Sequence, residues 1–152
     1  MLITKEIEID MGHRVPNHKS KCRNLHGHRY KIEATVDDKI IDKKGNSSEG
    51  MVIDFGDMKQ IMMEVIHDLF DHTLVLSKHD PLSDVLMESE IVADLGLIIH
   101  LVPFVPTAEN LAKFWFSILE IELQKVDIKL FQIKVWETPT STASYRLLDK
   151  GI

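Results

Sequence analysis

The sequence predicts an α+β domain, one antiparallel sheet with two helices packed on one face. Three observations predict it. Residues 3–10 and 28–37 alternate apolar and polar side chains at the two-residue period of a half-buried strand. Residues 56–70 and 107–123 carry apolar side chains at helical spacing. The segments follow one another as β-β-α-(β)-α-β, so strands do not alternate with every helix as they would in a parallel α/β fold.

In the first strand Ile3, Ile7 and Ile9 are apolar, and Lys5, Glu6, Glu8 and Asp10 are charged. Residues 14–25 hold Pro16, Asn17, Ser20 and Asn24 and read as a loop. Tyr30, Ile32, Ala34 and Val36 mark the second strand. The polar stretch 39–50 reads as a surface connection turning at Gly45, Asn46, Ser47 and Ser48, and residues 51–55 as a short extended piece. Met58, Ile61, Met62, Val65, Ile66 and Leu69 stripe the first helix, with Asp54 or Asp57 able to cap it. Pro81 and Ser83 open a short helix through Leu82, Val85, Leu86 and Ile91, and the apolar run 96–102 reads as a strand. Thr107 is the N-cap of the second long helix, striped by Leu111, Phe114, Trp115, Ile118, Leu119 and Leu123. Residues 129–137 form a last strand, and the Thr/Ser/Pro-rich segment 138–144 reads as a loop. No repeat or linker divides the chain, so residues 1–152 are expected to form a single domain.

Composition narrows the function classes. A net charge of −6 argues against a nucleic-acid binder. The apolar stretch around 95–105 is broken by Gly96, His100 and Pro103 and falls short of the roughly 18 residues of a membrane span. The N-terminus lacks the basic start and continuous apolar segment of a signal peptide. The single cysteine excludes an internal disulfide. A cytoplasmic protein is expected. Charge is unevenly spread: no acid lies between Asp10 and Glu33, where Arg14, Lys19, Lys21, Arg23, Arg29 and Lys31 cluster. Such a patch suits a small anionic ligand such as a phosphate ester, although a solvated loop would look the same.

The chemistry concentrates on histidine, of which there are eight. His26 and His28 form an H-x-H pair at a strand start, where residues i and i+2 share a face and two imidazoles can reach one metal ion. Gly27 lets the backbone come close. His13 ends the first strand, and hairpin pairing brings it alongside His28. Three histidines with no fourth protein ligand form the pattern of a catalytic zinc with an open position. Cys22, four residues before His26, sits in a polar, basic loop that favours a thiolate. It is either a fourth ligand closing a structural site or a nucleophile or base beside an open one. Asp71 and His72 form a carboxylate–imidazole pair after the first helix. Glu137 ends the last strand, where a bidentate donor edge of guanidine type would satisfy it. Thr107 and Glu109 open the long helix.

Taken in order, His13-Arg14, Cys22-x3-His26-Gly27-His28, Val52-Ile53-Asp54-Phe55, Phe70-Asp71-His72, Pro106-Thr107-Ala108-Glu109-Asn110 and Glu137-Thr138 resemble the 6-pyruvoyltetrahydropterin synthase / 6-carboxytetrahydropterin synthase family. The resemblance spans about residues 3–145. It implies the tunnelling fold: a four-stranded antiparallel sheet with two helices, whose sheets join between subunits into a barrel. It implies Zn2+ on His13, His26 and His28, Cys22 as the catalytic cysteine with Asp71 and His72 as partners in proton transfer, and Glu137 as the anchor of a pterin ring. The resemblance further implies substrate contacts from Thr107 and Glu109. It also implies a homo-oligomer, a hexamer of two trimers.

The three residues between Cys22 and His26 resemble the bacterial 6-carboxytetrahydropterin synthases of queuosine and 7-deazaguanine synthesis, acting on 7,8-dihydroneopterin triphosphate. Arg14, Lys19, Lys21 and Arg23 are then candidates for the triphosphate. The chain departs from the family in Asp10-Met11-Gly12 before His13 and in a long segment 73–105. Two other readings stand beside this one. The first is 6-pyruvoyltetrahydropterin synthase activity on the same substrate. The second is a non-catalytic protein whose zinc is closed by His13, Cys22, His26 and His28.

Overall fold

The structure, a computed structural model, describes residues 1–151. In chain order the elements are β1 (Leu2–His13), a 3₁₀ turn (Lys21–Arg23), β2 (His26–Asp37), α1 (Phe55–Met62), a π-helical stretch (Met63–His67), α2 (Asp68–Phe70) and β3 (Thr73–Ser77). There follow α3 (Pro81–Met87), α4 (Glu90–Asp94), β4 (Ile99–Val102), α5 (Ala108–Lys125), β5 (Leu130–Thr138), β6 (Ser141–Arg146) and a 3₁₀ turn (Leu147–Asp149).

β1 and β2 pair antiparallel along their whole length, from Leu2 opposite Asp37 to His13 opposite His26. β5 joins β2, and β6 joins β5, both antiparallel. On the other flank β3 runs parallel to β1, and β4 parallel to β3. The sheet order is β4-β3-β1-β2-β5-β6. The α+β class holds, but the expected four antiparallel strands are corrected to a six-stranded mixed sheet. Neither unexpected strand shows the strong apolar/polar alternation that betrays β1 and β2; in β6 only Ala143 and Tyr145 alternate with exposed polar residues. β3 is a short run, Thr-Leu-Val-Leu-Ser, mostly buried as parallel strands are. β6 is a polar edge strand, Ser-Thr-Ala-Ser-Tyr-Arg, which resembles a loop in composition. The helix expected from Pro81 to Ile91 divides into α3, capped by the Asp80 side chain on the Leu82 N–H, and α4, which starts after Ser89 without a side-chain cap.

One face of the sheet is buried. Ile7, Ile9 and Met11 of β1, Tyr30, Ile32, Ala34 and Val36 of β2, and Ile133 and Val135 of β5 pack in one cluster with Met58, Met62 and Ile66 and with Leu111, Trp115, Phe116, Leu119 and Leu123 of α5. Burying each large apolar side chain contributes about 1.5–3 kcal/mol. Asp54 caps α1, accepting the Gly56 N–H at 2.6 Å, and Thr107 caps α5, accepting the Asn110 N–H at 3.4 Å. The opposite face carries Glu6, Glu8, Asp10, Arg29, Lys31, Glu33 and Lys134. Parity thus decides the site: His13, His26 and His28 share the face of Ile9 and Tyr30, at the end of the core where α5 begins.

Candidate active site

His13 lies directly opposite His26 in the β1–β2 ladder, and His28 lies opposite Met11. The three rings pack with centroids 4.5 to 5.2 Å apart. Their available ligand nitrogens all lie within 4.8 Å of one another. Gly27 makes this possible. A Cβ there would stand 3.0 Å from the Met11 carbonyl oxygen, so any side chain would need the β1 backbone to give by a few tenths of an ångström.

The hydrogen bonds of the rings fit a metal. His13 Nδ1 lies 2.7 Å from the Pro106 carbonyl oxygen, and His26 Nδ1 lies 2.8 Å from that of Asn24. A carbonyl can only accept, so both Nδ1 atoms carry the proton and both Nε2 atoms keep a lone pair. Backbone carbonyls in this position fix ring orientation and raise ligand basicity. His13 Nε2 is buried with no hydrogen-bond partner, an orphaned acceptor that a cation would satisfy. Burial pushes the His13 and His28 pKa values below the ordinary 6.5; His26 lowers them further, while the Glu137 carboxylate opposes the shift. The neutral, ligating form is favoured.

His13 also lines a cavity of about 240 Å³ together with Val15, His18, Cys22, Thr107, Ala108, Glu109, Glu137 and residues 141–143. The structure therefore brings a metal-binding edge, the cysteine, the strand-end glutamate and the start of α5 to one place. Glu137 Oε1 lies 3.8 Å from His13 Nε2. Cys22 sits on the 3₁₀ turn, half-buried, with its carbonyl accepting the Val15 N–H at 2.9 Å. It is not part of the ligand cluster, which among the described residues is three histidines only.

Asp71 and His72 are formed as a pair, with Asp71 Oδ2 2.7 Å from His72 Nδ1. Asp71 also accepts the Asp10 N–H at 2.8 Å, and the His72 N–H returns to the Asp10 carbonyl at 2.7 Å. This docking holds His72 at φ +57°, a left-handed conformation that a histidine adopts at a cost. Burial acts to raise the Asp71 pKa, but the Asp10 amide and His72 outweigh it and hold it below the usual 3.8. The pair lines a cleft with Glu8, Ile9, Asp10, Arg29 and His67, which is a different cavity from the one that Cys22 lines. Arg23 is exposed on the cysteine turn. Arg14 points elsewhere, its Nε 2.9 Å from the wholly buried carboxylate of Asp80.

A family model described as 6-pyruvoyl tetrahydropterin synthase matches residues 2–147. The chain belongs to the 6-pyruvoyl tetrahydropterin synthase family. Among curated members of the family, the 6-carboxy-5,6,7,8-tetrahydropterin synthase of Haemophilus influenzae is 36% identical, covering 95% of this chain and 97% of that one. The protein of the same name from Aquifex aeolicus is 31% identical over 95% and 96% of the two chains. Among solved structures, an uncharacterized protein from Wolinella succinogenes superposes with a TM-score of 0.81 at 24% identity, covering 97% of this chain and 98% of that one. The Caenorhabditis elegans 6-pyruvoyl tetrahydropterin synthase gives 0.66 at 21% identity, covering 96% and 94%. These two likenesses speak for the fold.

Several residues around this family member's site are not evident from sequence reasoning. His18 and residues 141–143 line the cavity, the latter because β6 is a strand. Tyr30 packs edge-on against His13 and His28 with a buried, unpartnered hydroxyl, whose ionisation burial strongly opposes. Asp80 carried one signal, an acid immediately before a helix-opening proline, which marks a cap but not an ion pair.

Proposed function

We propose that the protein is a zinc-dependent 6-carboxytetrahydropterin synthase of the cytoplasm. It would convert 7,8-dihydroneopterin triphosphate and water to 6-carboxy-5,6,7,8-tetrahydropterin, acetaldehyde and triphosphate, in queuosine and 7-deazaguanine biosynthesis. The observation that carries this reading is one cavity lined by Cys22, Glu137 and His13, a member of the histidine cluster, in a chain whose relatives across nearly its whole length bear that name. His13, His26 and His28 would hold the zinc, which when bound would supply Lewis acidity toward oxygens of the substrate side chain.

The other roles belong to side chains. The Glu137 carboxylate accepts paired hydrogen bonds from the amino-pyrimidinone edge of the pterin and fixes the ring. Thr107 and Glu109, at the start of α5, add contacts beside it. Cys22, as thiolate, takes and returns protons between the side chain and the ring. Asp71 holds the His72 Nδ1 proton, leaving Nε2 to exchange protons. Because that pair opens into a different cleft from Cys22, its action on the same substrate calls for a second copy of the chain. A homo-oligomer, a hexamer of two trimers, meets this need. Lys19, Lys21 and Arg23 are exposed on the loop carrying Cys22 and make no ion pair among the described residues, which leaves them free for the triphosphate.

The test is turnover of dihydroneopterin triphosphate by zinc-loaded protein, with products identified by mass. 6-Carboxytetrahydropterin with acetaldehyde is expected, and a KM rising with salt would support the loop contacts. 6-Pyruvoyltetrahydropterin would move the protein to the other activity of its family, and no turnover would refute the assignment.

A further inference from the structure

We propose that the excursion between β3 and α5 is a clasp that orients the metal ligand His13, with Asp80 as a positioning residue for both His13 and the Cys22 loop. The inference rests on the metal reading above. The two ends of the excursion grip adjacent residues of one dipeptide. At its start, Asp80 Oδ2 lies 2.9 Å from Arg14 Nε. At its end, the Pro106 carbonyl lies 2.7 Å from His13 Nδ1. Between them the chain makes α3, α4 and β4.

Asp80 is itself immobilised. Its carboxylate is wholly buried and accepts the Leu82 N–H at 3.0 Å. Its carbonyl accepts the Ser83 hydroxyl at 2.7 Å, and its N–H donates to the Ser77 carbonyl at 3.0 Å. Arg14 is flanked by the two things the site must place. His13 precedes it. Val15 follows, and its N–H holds the Cys22 carbonyl at 2.9 Å. Fixing the guanidinium therefore fixes the backbone between a metal ligand and the cysteine loop.

The Arg14–Asp80 contact is close, but its N–H is not aligned on the oxygen as a hydrogen bond. A buried ion pair gives little net stability compared with apolar side chains of the same size. Its use here is positional: it selects one placement of the chain after β1.

The experiment measures metal affinity in the full-length, metal-free protein, by chelator competition with zinc and by Co(II) absorbance. Asp80→Asn keeps the shape and an acceptor for the Leu82 N–H while removing the charge. It is expected to weaken zinc binding by about 10- to 100-fold, as loss of a ligand-orienting partner does. It is also expected to speed alkylation of Cys22. Leu123→Ala is the control, a cavity variant about 22 Å along α5 from its first residue. It should lower Tm without changing zinc affinity. Arg14→Lys keeps the charge without the fork and should weaken binding in the same direction, so the proposal stays testable where Asp80→Asn does not fold.

Zinc affinity of Asp80→Asn within twofold of the parent, or an equal loss in Leu123→Ala, overturns the clasp and leaves the metal centre standing. A parent protein that binds neither zinc nor Co(II) overturns the metal reading and the clasp with it.

Discussion

Replacing Cys22 by alanine separates an open metal site from a closed one. The substitution removes only Sγ from a half-buried side chain. The contacts that shape the turn are made by the Cys22 backbone: its N–H donates to Ser20 Oγ at 3.5 Å and its carbonyl accepts the Val15 N–H at 2.9 Å. Both survive in alanine, so stability should change by no more than about 0.5 kcal/mol. The metal should also stay, because the ligand cluster within 4.8 Å consists of His13, His26 and His28. Turnover should fall by the factor a positioned proton-transfer group contributes, about 10²–10⁴. At 1.36 kcal/mol per decade that is roughly 2.7–5.4 kcal/mol of transition-state stabilisation. The assay is metal content per chain, Tm and kcat/KM on dihydroneopterin triphosphate, measured on one preparation. Loss of bound metal together with a large fall in Tm would refute the reasoning, since Cys22 would then close a structural site. Full metal with undiminished turnover would refute the proton-transfer role.

Three further outcomes follow from the same geometry. Gly27→Ala places a Cβ 3.0 Å from the Met11 carbonyl oxygen, so the β1 backbone must give by a few tenths of an ångström beside the histidines; the rise in Tm produced by zinc should shrink, which thermal melts with and without zinc would show. Glu137→Gln keeps the metal but loses the charged acceptor; a bond to a charged group is worth about 1.5–3 kcal/mol, so KM should rise roughly ten- to 150-fold in steady-state assays. In the metal-free protein, burial holds the His13 and His28 pKa values below 6.5, so the folded state disfavours their protonation. Stability from these groups should be fully present above 6.5 and be lost as pH falls through their lower folded values, a trend that urea melts from about pH 8 to about pH 5 would record.

The parts legible in the sequence were those whose physics is local. Alternation marked β1 and β2, the apolar stripes marked α1 and α5, Thr107 announced its cap, and the sequence left the α1 cap between Asp54 and Asp57, of which Asp54 is the one. The H-x-H pair with His13 was legible because strand periodicity and a hairpin place those rings on one face. β3 was not, since a short buried parallel strand has no period and gains its partner β1 only through a crossover. β6 was hidden by its polar composition. The cavity around Cys22 depends on how β6 and α5 meet the cysteine loop, and no local pattern encodes that. The separation of Asp71 and His72 from Cys22 likewise follows from their docking on Asp10, whose side chain belongs to the other face of the sheet. The Arg14–Asp80 pair is a long-range contact, and in the sequence Arg14 looked like one more base in an acid-free window.

X-ray absorption at the zinc edge of the loaded protein tests the central claim most directly, that three histidines hold a catalytic metal with an open position. The account predicts three imidazole nitrogens at about 2.0–2.1 Å, a fourth light-atom scatterer that changes when substrate is added, and no sulfur. A sulfur scatterer at about 2.3 Å would contradict it, making Cys22 a ligand and the site structural.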